Sequence, residues 1–142
     1  MKKQLPAVAY VFLFLFVTLT AKAQLSWKNK TAFGGGKRDG AVGFSIGNKG
    51  YIGTGADSSY LITKDFWEYD PASDTWNQMA DFGGNERWGS VGFSINSKGY
   101  IGTADPYAAS LDDFWEYDPS ANTWTKKNDF PGGWRMMAVG FS

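Results

Sequence analysis

The sequence contains no cysteine and no histidine among its 142 residues. Without cysteine, the chain forms no disulfide, thiol nucleophile or cysteine zinc ligand. Without histidine, it supplies no histidine metal ligand, no haem ligand and no Ser-His-Asp triad. Only carboxylates, lysine, tyrosine, serine and threonine remain for chemistry, and the sequence predicts no cofactor.

Net charge is also absent, because 14 basic residues balance 14 acidic ones. A protein that binds nucleic acid usually carries a concentrated basic surface, so this balance argues against nucleic acid as a partner. Aromatic residues and glycine are abundant instead, with 7 Trp, 7 Tyr, 11 Phe and 18 Gly. This composition is typical of short strands joined by tight turns.

Residues 1–23 have the layout of a secretory signal peptide. A short basic start precedes an uncharged, mostly apolar run over residues 5–21, and Ala21-Lys22-Ala23 forms an A-x-A cleavage site. The alternative is a membrane anchor, but the densest apolar run, residues 8–17, is shorter than the roughly 20 residues of a spanning helix. We therefore expect an exported protein, located outside the cell, on its surface or in the periplasm, with no membrane span after cleavage.

We expect the mature protein to begin at Gln24. Cleavage there would remove three lysines and leave a mildly acidic chain, which makes electrostatic capture of nucleic acid or of an anionic membrane less favourable still. N-terminal sequencing or the intact mass of exported material checks this prediction. Recovery of the chain with Met1 retained in a membrane fraction would contradict it.

The rest of the sequence is a tandem repeat. Residues 41–46 recur as 90–95, residues 49–54 as 98–103, and residues 65–71 as 113–119. Aligning 41–82 with 90–130 gives 22 identities over 41 positions, far more than chance produces. The repeat must therefore be read as one structural unit that occurs more than once.

Each unit is predicted to form four short strands. In the first unit these are residues 41–46, 50–54, 66–70 and 75–79, with a three-residue turn at 47–49 and a second turn at 71–74. The alternation places Val42, Phe44 and Ile46 on one face of the first strand, and Trp67 and Tyr69 together on one face of the third. No part of the mature chain shows a helical period.

The repeated motifs resemble the kelch repeat, in the subtype of galactose-oxidase-like bacterial secreted proteins. That family has an Arg before the first strand, a Gly pair after the second, then Tyr-Asp-Pro and a Trp. The matching residues are Arg38, Arg87, Arg135, Tyr69-Asp70-Pro71 with Trp76, and Tyr117-Asp118-Pro119 with Trp124. The Gly pair departs from the pattern, because it is Gly53-Thr54 in one unit and Gly102-Thr103 in the other.

The resemblance implies an all-β fold, a kelch-type β-propeller with four-stranded antiparallel blades. We expect a lone outer strand at 24–33, complete blades at 41–82 and 90–130, and the start of a next blade at 136–142. The tryptophans of the third and fourth strands should pack between blades. A propeller closes with about four to eight blades. We therefore expect a fragment of a longer product, the alternative being a propeller whose remaining blades come from self-association.

Topology also predicts where a binding site lies. In an antiparallel meander, the loop between the second and third strands and the connection to the next blade emerge at the same end. Arginine beside exposed aromatic rings suits a sugar, a carboxylate or a peptide. The candidate binding residues at this end are Arg38, Arg87, Arg135, Trp88, Trp134, Tyr60 and Tyr107. The alternative for the arginines is structural, namely pairing with a backbone carbonyl or with a carboxylate such as Glu68 or Glu116.

The acidic residues predict no catalytic site and no metal site. Glycoside hydrolysis needs two carboxylates across a cleft, whereas Glu68 and Asp70 recur as Glu116 and Asp118, which is typical of scaffold.

The leading interpretation is a non-catalytic module that binds a protein or a glycan. One alternative is a fragment of a secreted carbohydrate-active enzyme, galactose-oxidase-like or sialate-epimerase-like, with its catalytic residues outside this chain. Another is a purely structural array.

Overall fold

The structure is a computed structural model that describes residues 26–104 and 111–141. These residues form eight strands, and none of their segments is a helix long and apolar enough to cross a membrane. The strands are β1 (Val42–Ile46), β2 (Lys49–Gly53), β3 (Phe66–Asp70), β4 (Thr75–Gln78), β5 (Val91–Ile95), β6 (Lys98–Gly102), β7 (Phe114–Asp118) and β8 (Thr123–Lys126).

The strands form two antiparallel sheets, in the orders β1-β2-β3-β4 and β5-β6-β7-β8. Each sheet is one repeat, and the two lie side by side as neighbouring blades of a propeller do, with β1 packed on β5 and β6. The all-β class and the four-stranded unit predicted from the repeat are confirmed, with strand ends shifted by one residue.

The first turn of each unit was predicted one residue too long. Ile46 pairs directly with Lys49, so the hairpin loop contains only Gly47 and Asn48. Gly47 has a φ of 59°, which suits a two-residue loop. Lys49 belongs to β2 because it pairs with Ile46 in the ladder, and its ammonium group lies 2.7 Å from Asp70 on β3.

The core lies between the two sheets and is mainly aromatic. The first sheet contributes Tyr51 and Phe66, which stack with ring centroids 5.7 Å apart. The second sheet covers Phe66 with Tyr117, at 4.9 Å, and with Trp124, at 5.0 Å. Because Phe66 and Tyr117 are fully buried, the contact between blades supplies the core that neither sheet has alone.

Two strand glycines allow the sheets to approach closely. A Cβ on Gly92 would collide with Val42, and one on Gly99 would collide with the ring of Phe44. Glycine in a strand interior loses side-chain packing and backbone entropy, so it marks a place where another part of the chain lies against the backbone. The side chains of β1 therefore pack directly against the backbone at Gly92 and Gly99.

Thr54 and Thr103 occupy the position where the kelch pattern has the second glycine of its Gly pair. Their φ angles are 58° and 54°, in the left-handed region that glycine adopts readily. Both residues are buried, and neither Oγ1 has a hydrogen-bond partner among the described residues. Threonine thus occupies a turn suited to glycine, at the expense of backbone strain and of an unsatisfied hydroxyl group.

The strand predicted at 24–33 does not form within its described part, residues 26–33, and residues 136–141 form no strand either. Among the described residues, no neighbouring strand forms a backbone ladder with either segment. Thr31 is instead held by side chains, since its N–H donates to Asp74 and its carbonyl accepts from the indole of Trp76, both at 3.1 Å.

The contacts of Thr31 are repeated by Ala80, one unit later. The Ala80 N–H donates to Asn122 at 2.9 Å, and its carbonyl accepts from the indole of Trp124 at 3.2 Å. Phe33 likewise lies 5.0 Å from Trp76, the separation that Phe82 has from Trp124. Residues 31–33 therefore contact the first sheet in the same way that residues 80–82 contact the second sheet.

Candidate functional site

The loops predicted to share one end of the sheets do lie together. The loop between β2 and β3 contacts both connections between units: Ala56 exchanges two backbone hydrogen bonds with Asp39, at 2.8 and 2.9 Å, and Gly55 donates to the carbonyl of Arg87 at 2.8 Å. We call this end the loop face, comprising residues 34–41, 54–65 and 83–90. Its backbone is held rigidly by hydrogen bonds between segments that are distant in sequence.

Arg87 is buried beneath this face and holds a carboxylate. Its two terminal nitrogens donate to the two oxygens of Asp113, each at 2.9 Å, and its guanidinium lies 4.3 Å from the ring centre of Phe82. Burial would raise the pKa of Asp113, but hydrogen bonds from Arg87 and Trp115 outweigh it and lower the pKa. A fully buried guanidinium that is already paired offers nothing to a ligand.

Arg38 repeats this arrangement with Asp65. One terminal nitrogen lies 2.8 Å from the Asp65 carboxylate, the other donates to the Thr54 carbonyl at 3.0 Å, and the side chain is 5% exposed. Burial acts to raise the pKa of Asp65, but hydrogen bonds from Arg38, Trp67 and Thr63 lower it to about 2. The contacts therefore support the structural alternative for Arg38 and Arg87, and neither residue is available to bind a ligand.

The carboxylate partner differs from those proposed from sequence. Asp65 and Asp113 directly precede β3 and β7, whereas Glu68 and Glu116 lie within these strands. Glu68 accepts a hydrogen bond from the Tyr51 hydroxyl at 2.6 Å, and Glu116 accepts one from Tyr100 at 2.8 Å. Glu68 lies on the sheet face between the two blades, whereas Glu116 lies on the face of the second sheet that points away from the first, and no arginine of the described residues bonds either carboxylate.

Tyr60 lies at the tip of a small rigid hairpin. The Asp57 N–H donates to the carbonyl of Leu61 at 3.0 Å, and the Asp57 carboxylate accepts from the N–H groups of Ser59 and Leu61. Tyr60 has a φ of 61° and is 86% exposed, and the next residues, Leu61 and Ile62, are exposed as well. The loop thus presents three consecutive apolar side chains to solvent from a fixed backbone.

A cleft of about 230 Å³ opens beside this hairpin. It is smaller than the roughly 300–1,000 Å³ of pockets that enclose a drug-sized ligand, so it suits a single sugar unit or a single side chain. Its lining brings together the predicted residues Arg38 and Tyr60 with Lys37, Asp39, Ala56, Asp57 and Ser58. Within the described part of the chain, Lys37, Asp39 and Asp57 form no ion pair.

The remaining candidate residues are dispersed. Trp88 packs over Gly40 and donates to the Asp39 carboxylate at 3.2 Å, so it links two connections. Trp134 and Arg135 are exposed on residues 127–141, where Arg135 lies 4.5 Å over the ring of Phe130 and donates to the carbonyl of Gly132. Tyr107 lies outside the described residues. Across those residues, no cluster of three or more acidic side chains is arranged to hold a metal ion.

Comparison with known proteins rests on structure alone, because no protein-family model and no curated protein matches the sequence. The solved structure of YjhT superposes with a TM-score of 0.64 over 75% of this chain, at 19% sequence identity. The two chains share a fold. This chain spans 42% of the length of YjhT, so the likeness concerns part of that protein.

The likeness to YjhT establishes the architecture and carries nothing about a ligand. The loop-face residues Lys37, Asp39, Asp57 and Ser58 must therefore be assessed from their own geometry. Sequence reasoning missed them because polar residues in loops are common and carry no repeat signal. One signal was available: the loop at 55–64 has no counterpart of equal length in the second unit, so its residues are not part of the repeated scaffold.

Proposed function

We propose that this chain is an exported, kelch-type propeller module that binds a protein or a glycan through its loop face, without catalysis. The observation that carries this proposal is the hairpin at 55–63, which holds an exposed tyrosine in a strained conformation. The repeated pairs Arg38–Asp65 and Arg87–Asp113 support a scaffold role for the arginines of the kelch resemblance. Export is proposed from the leader pattern of the sequence.

The positive φ of Tyr60 closes the turn of its hairpin, but among the described residues the ring itself gains little packing. A non-glycine residue at positive φ costs on the order of 1–3 kcal/mol and persists where the surroundings over-determine it. Tyr60 is 86% exposed, so its ring gains little packing that would offset this cost. Exposed tyrosine on a preorganised loop is typical of binding surfaces, because it offers a large contact area with few rotatable bonds.

The polar groups beside Tyr60 define what the cleft recognises. Lys37 supplies donors, Asp39 and Asp57 supply acceptors, and Ser58 supplies both, around a space the size of one sugar unit or one side chain. Leu61 and Ile62 extend an apolar surface away from the cleft, which suits a protein contact. No observation within the described residues favours the carbohydrate-active enzyme, so the binding module is the one function that we propose.

We expect Tyr60→Ala to weaken ligand binding about tenfold or more while leaving thermal stability nearly unchanged, because the side chain is exposed and the backbone is held by other residues. The readouts are glycan-array binding, pull-down of proteins from the culture medium, and a thermal melt. The control is Asn48→Ala, at the opposite end of the first sheet. Equal loss of binding in both variants, or binding retained in Tyr60→Ala, would contradict the proposal.

A further inference from the structure

The cleft beside Tyr60 is built from two segments of the first unit. Lys37 and Asp39 belong to the connection that enters the unit, and Asp57 and Tyr60 belong to the hairpin. Two backbone hydrogen bonds between Ala56 and Asp39, at 2.8 and 2.9 Å, fix these segments to each other. The cleft is therefore preformed within one unit, and its shape does not depend on how the units are arranged.

Each carboxylate of the cleft uses only one of its oxygens in the fold. Asp57 Oδ1 accepts from the N–H groups of Ser59 and Leu61, at 2.7 and 3.0 Å. Asp39 Oδ2 accepts from the indole of Trp88 at 3.2 Å. Among the described residues, no group donates to the second oxygen of either carboxylate. These second oxygens are held in place by the bonds of the first ones, and they can accept hydrogen bonds from a ligand.

Lys37 and Ser58 supply the side-chain donors of the cleft. An ammonium group carries three N–H donors, and a hydroxyl group both donates and accepts. Arg38 also lines the cleft but adds no net charge, because its guanidinium is paired with Asp65. Two carboxylates and one ammonium group therefore give the cleft a net charge of −1.

This set of groups distinguishes three classes of ligand. An anionic ligand meets two carboxylates and only one ammonium group, so its binding is unfavourable. A lysine or arginine side chain satisfies the carboxylates, but it is repelled by Lys37 and offers that residue no acceptor. A neutral sugar satisfies both kinds of group, because each of its hydroxyl groups donates and accepts.

We propose that the cleft binds one neutral sugar unit of a glycan, an inference that rests on the proposed binding function of the loop face. Hydroxyl groups of the sugar donate to the second oxygens of Asp39 and Asp57, and another accepts from Lys37. The exposed ring of Tyr60 covers the apolar face of the sugar ring. A cleft of about 230 Å³ suits a single unit, so the rest of the glycan lies outside it.

The test titrates the purified chain with small probes of the three classes. The neutral probes are the methyl glycosides of glucose, galactose and mannose, the anionic probe is methyl glucuronide, and the cationic probe is Nα-acetyl-lysine amide. Amide chemical shifts of Ser59 and Leu61, whose N–H groups donate to Asp57, report binding at the cleft. We expect at least one neutral glycoside to bind in the millimolar range, because few contacts hold a single unit.

Selectivity and its loss in two variants identify the groups responsible. The best neutral glycoside should bind about tenfold or more tightly than the glucuronide or the lysine amide. Asp39→Asn and Asp57→Asn each keep one side-chain oxygen for the fold and replace the other by an amide donor. Each should raise the dissociation constant of the neutral glycoside about tenfold and reduce the discrimination against the glucuronide. The control, Asp129→Asn, removes an exposed carboxylate outside the cleft and should change neither.

Several results would overturn the assignment of a neutral sugar. They are the absence of binding by every neutral probe, glucuronide or lysine amide binding as tightly as the best neutral glycoside, and wild-type affinity in both cleft variants. If these occur while Tyr60→Ala still abolishes capture of a glycan or a protein, the proposed function of the loop face stands and only the sugar assignment fails. If Tyr60→Ala leaves all binding unchanged, the proposed function itself fails.

Discussion

Phe66→Ala is expected to lower the free energy of unfolding by about 3–5 kcal/mol, because it leaves a cavity at the centre of the core. Phe66 is fully buried and contacts Tyr51 within its own sheet and Tyr117 and Trp124 of the neighbouring sheet. Neither ring of the second sheet can follow the shortened side chain, since each is fixed by its own strand. Urea denaturation monitored by tryptophan fluorescence measures the loss.

Phe114→Ala is the matched control, because Phe114 occupies the same position in the second unit and stacks on Tyr100 at the same 5.7 Å. No sheet among the described residues covers it, so its truncation should cost clearly less than that of Phe66. The comparison must be made at low protein concentration, where self-association contributes least. Equal losses in the two variants would show that the contact between the sheets adds nothing to the core.

Arg87→Ala is expected to lower the free energy of unfolding by about 3–5 kcal/mol, because it leaves the Asp113 carboxylate partly buried without its counter-charge. Asp113 is only 16% exposed, and both of its oxygens accept from the guanidinium. The substitution also removes the cation that lies over Phe82. Chemical denaturation at neutral pH measures the effect, and Arg87→Lys should recover part of it, because lysine restores the charge but not the paired geometry.

Arg135→Ala provides the control on the third arginine of the repeat. Arg135 is exposed and bonds a backbone carbonyl, and it has no acidic partner among the described residues, so we expect a change within about 0.5 kcal/mol. If Arg87→Ala instead abolished binding while unfolding normally, the contacts assigned here to stability would have to be reassigned to the loop-face site.

Much of the fold could be predicted because the repeat shows each pattern twice. Phe66 to Asp70 and their copies at 114–118 alternate between faces with a period of two, and the turn residues between strands are retained in both units. Strand order follows from four short strands joined by short connections, which form an antiparallel meander. The pairing of β1 to β4 and of β5 to β8 is therefore a consequence of local signals.

The candidate site was predicted less well, since exposure is a tertiary property. Arg38 and Arg87 look like ligand-binding residues in sequence, and their burial depends on Asp65 and Asp113, which lie 26 or 27 positions away. Tyr60 was predicted on the loop face and lies there. Asp39 and Asp57 join it only because Ala56 pairs with Asp39 across the two segments.

The sequence by itself determined the strands of the two repeated units, since alternation, glycine turns and the repeat are local features that neighbouring residues set. Only the tertiary structure decided which of two equivalent residues is buried: Phe66 and Phe114 have the same sequence surroundings, yet one lies in the core and the other on an outer face. Burial depends on which sheet lies alongside, and that contact joins residues about fifty positions apart. The repeat therefore predicts the strands of both units, whereas packing between sheets determines which of two equivalent side chains is buried.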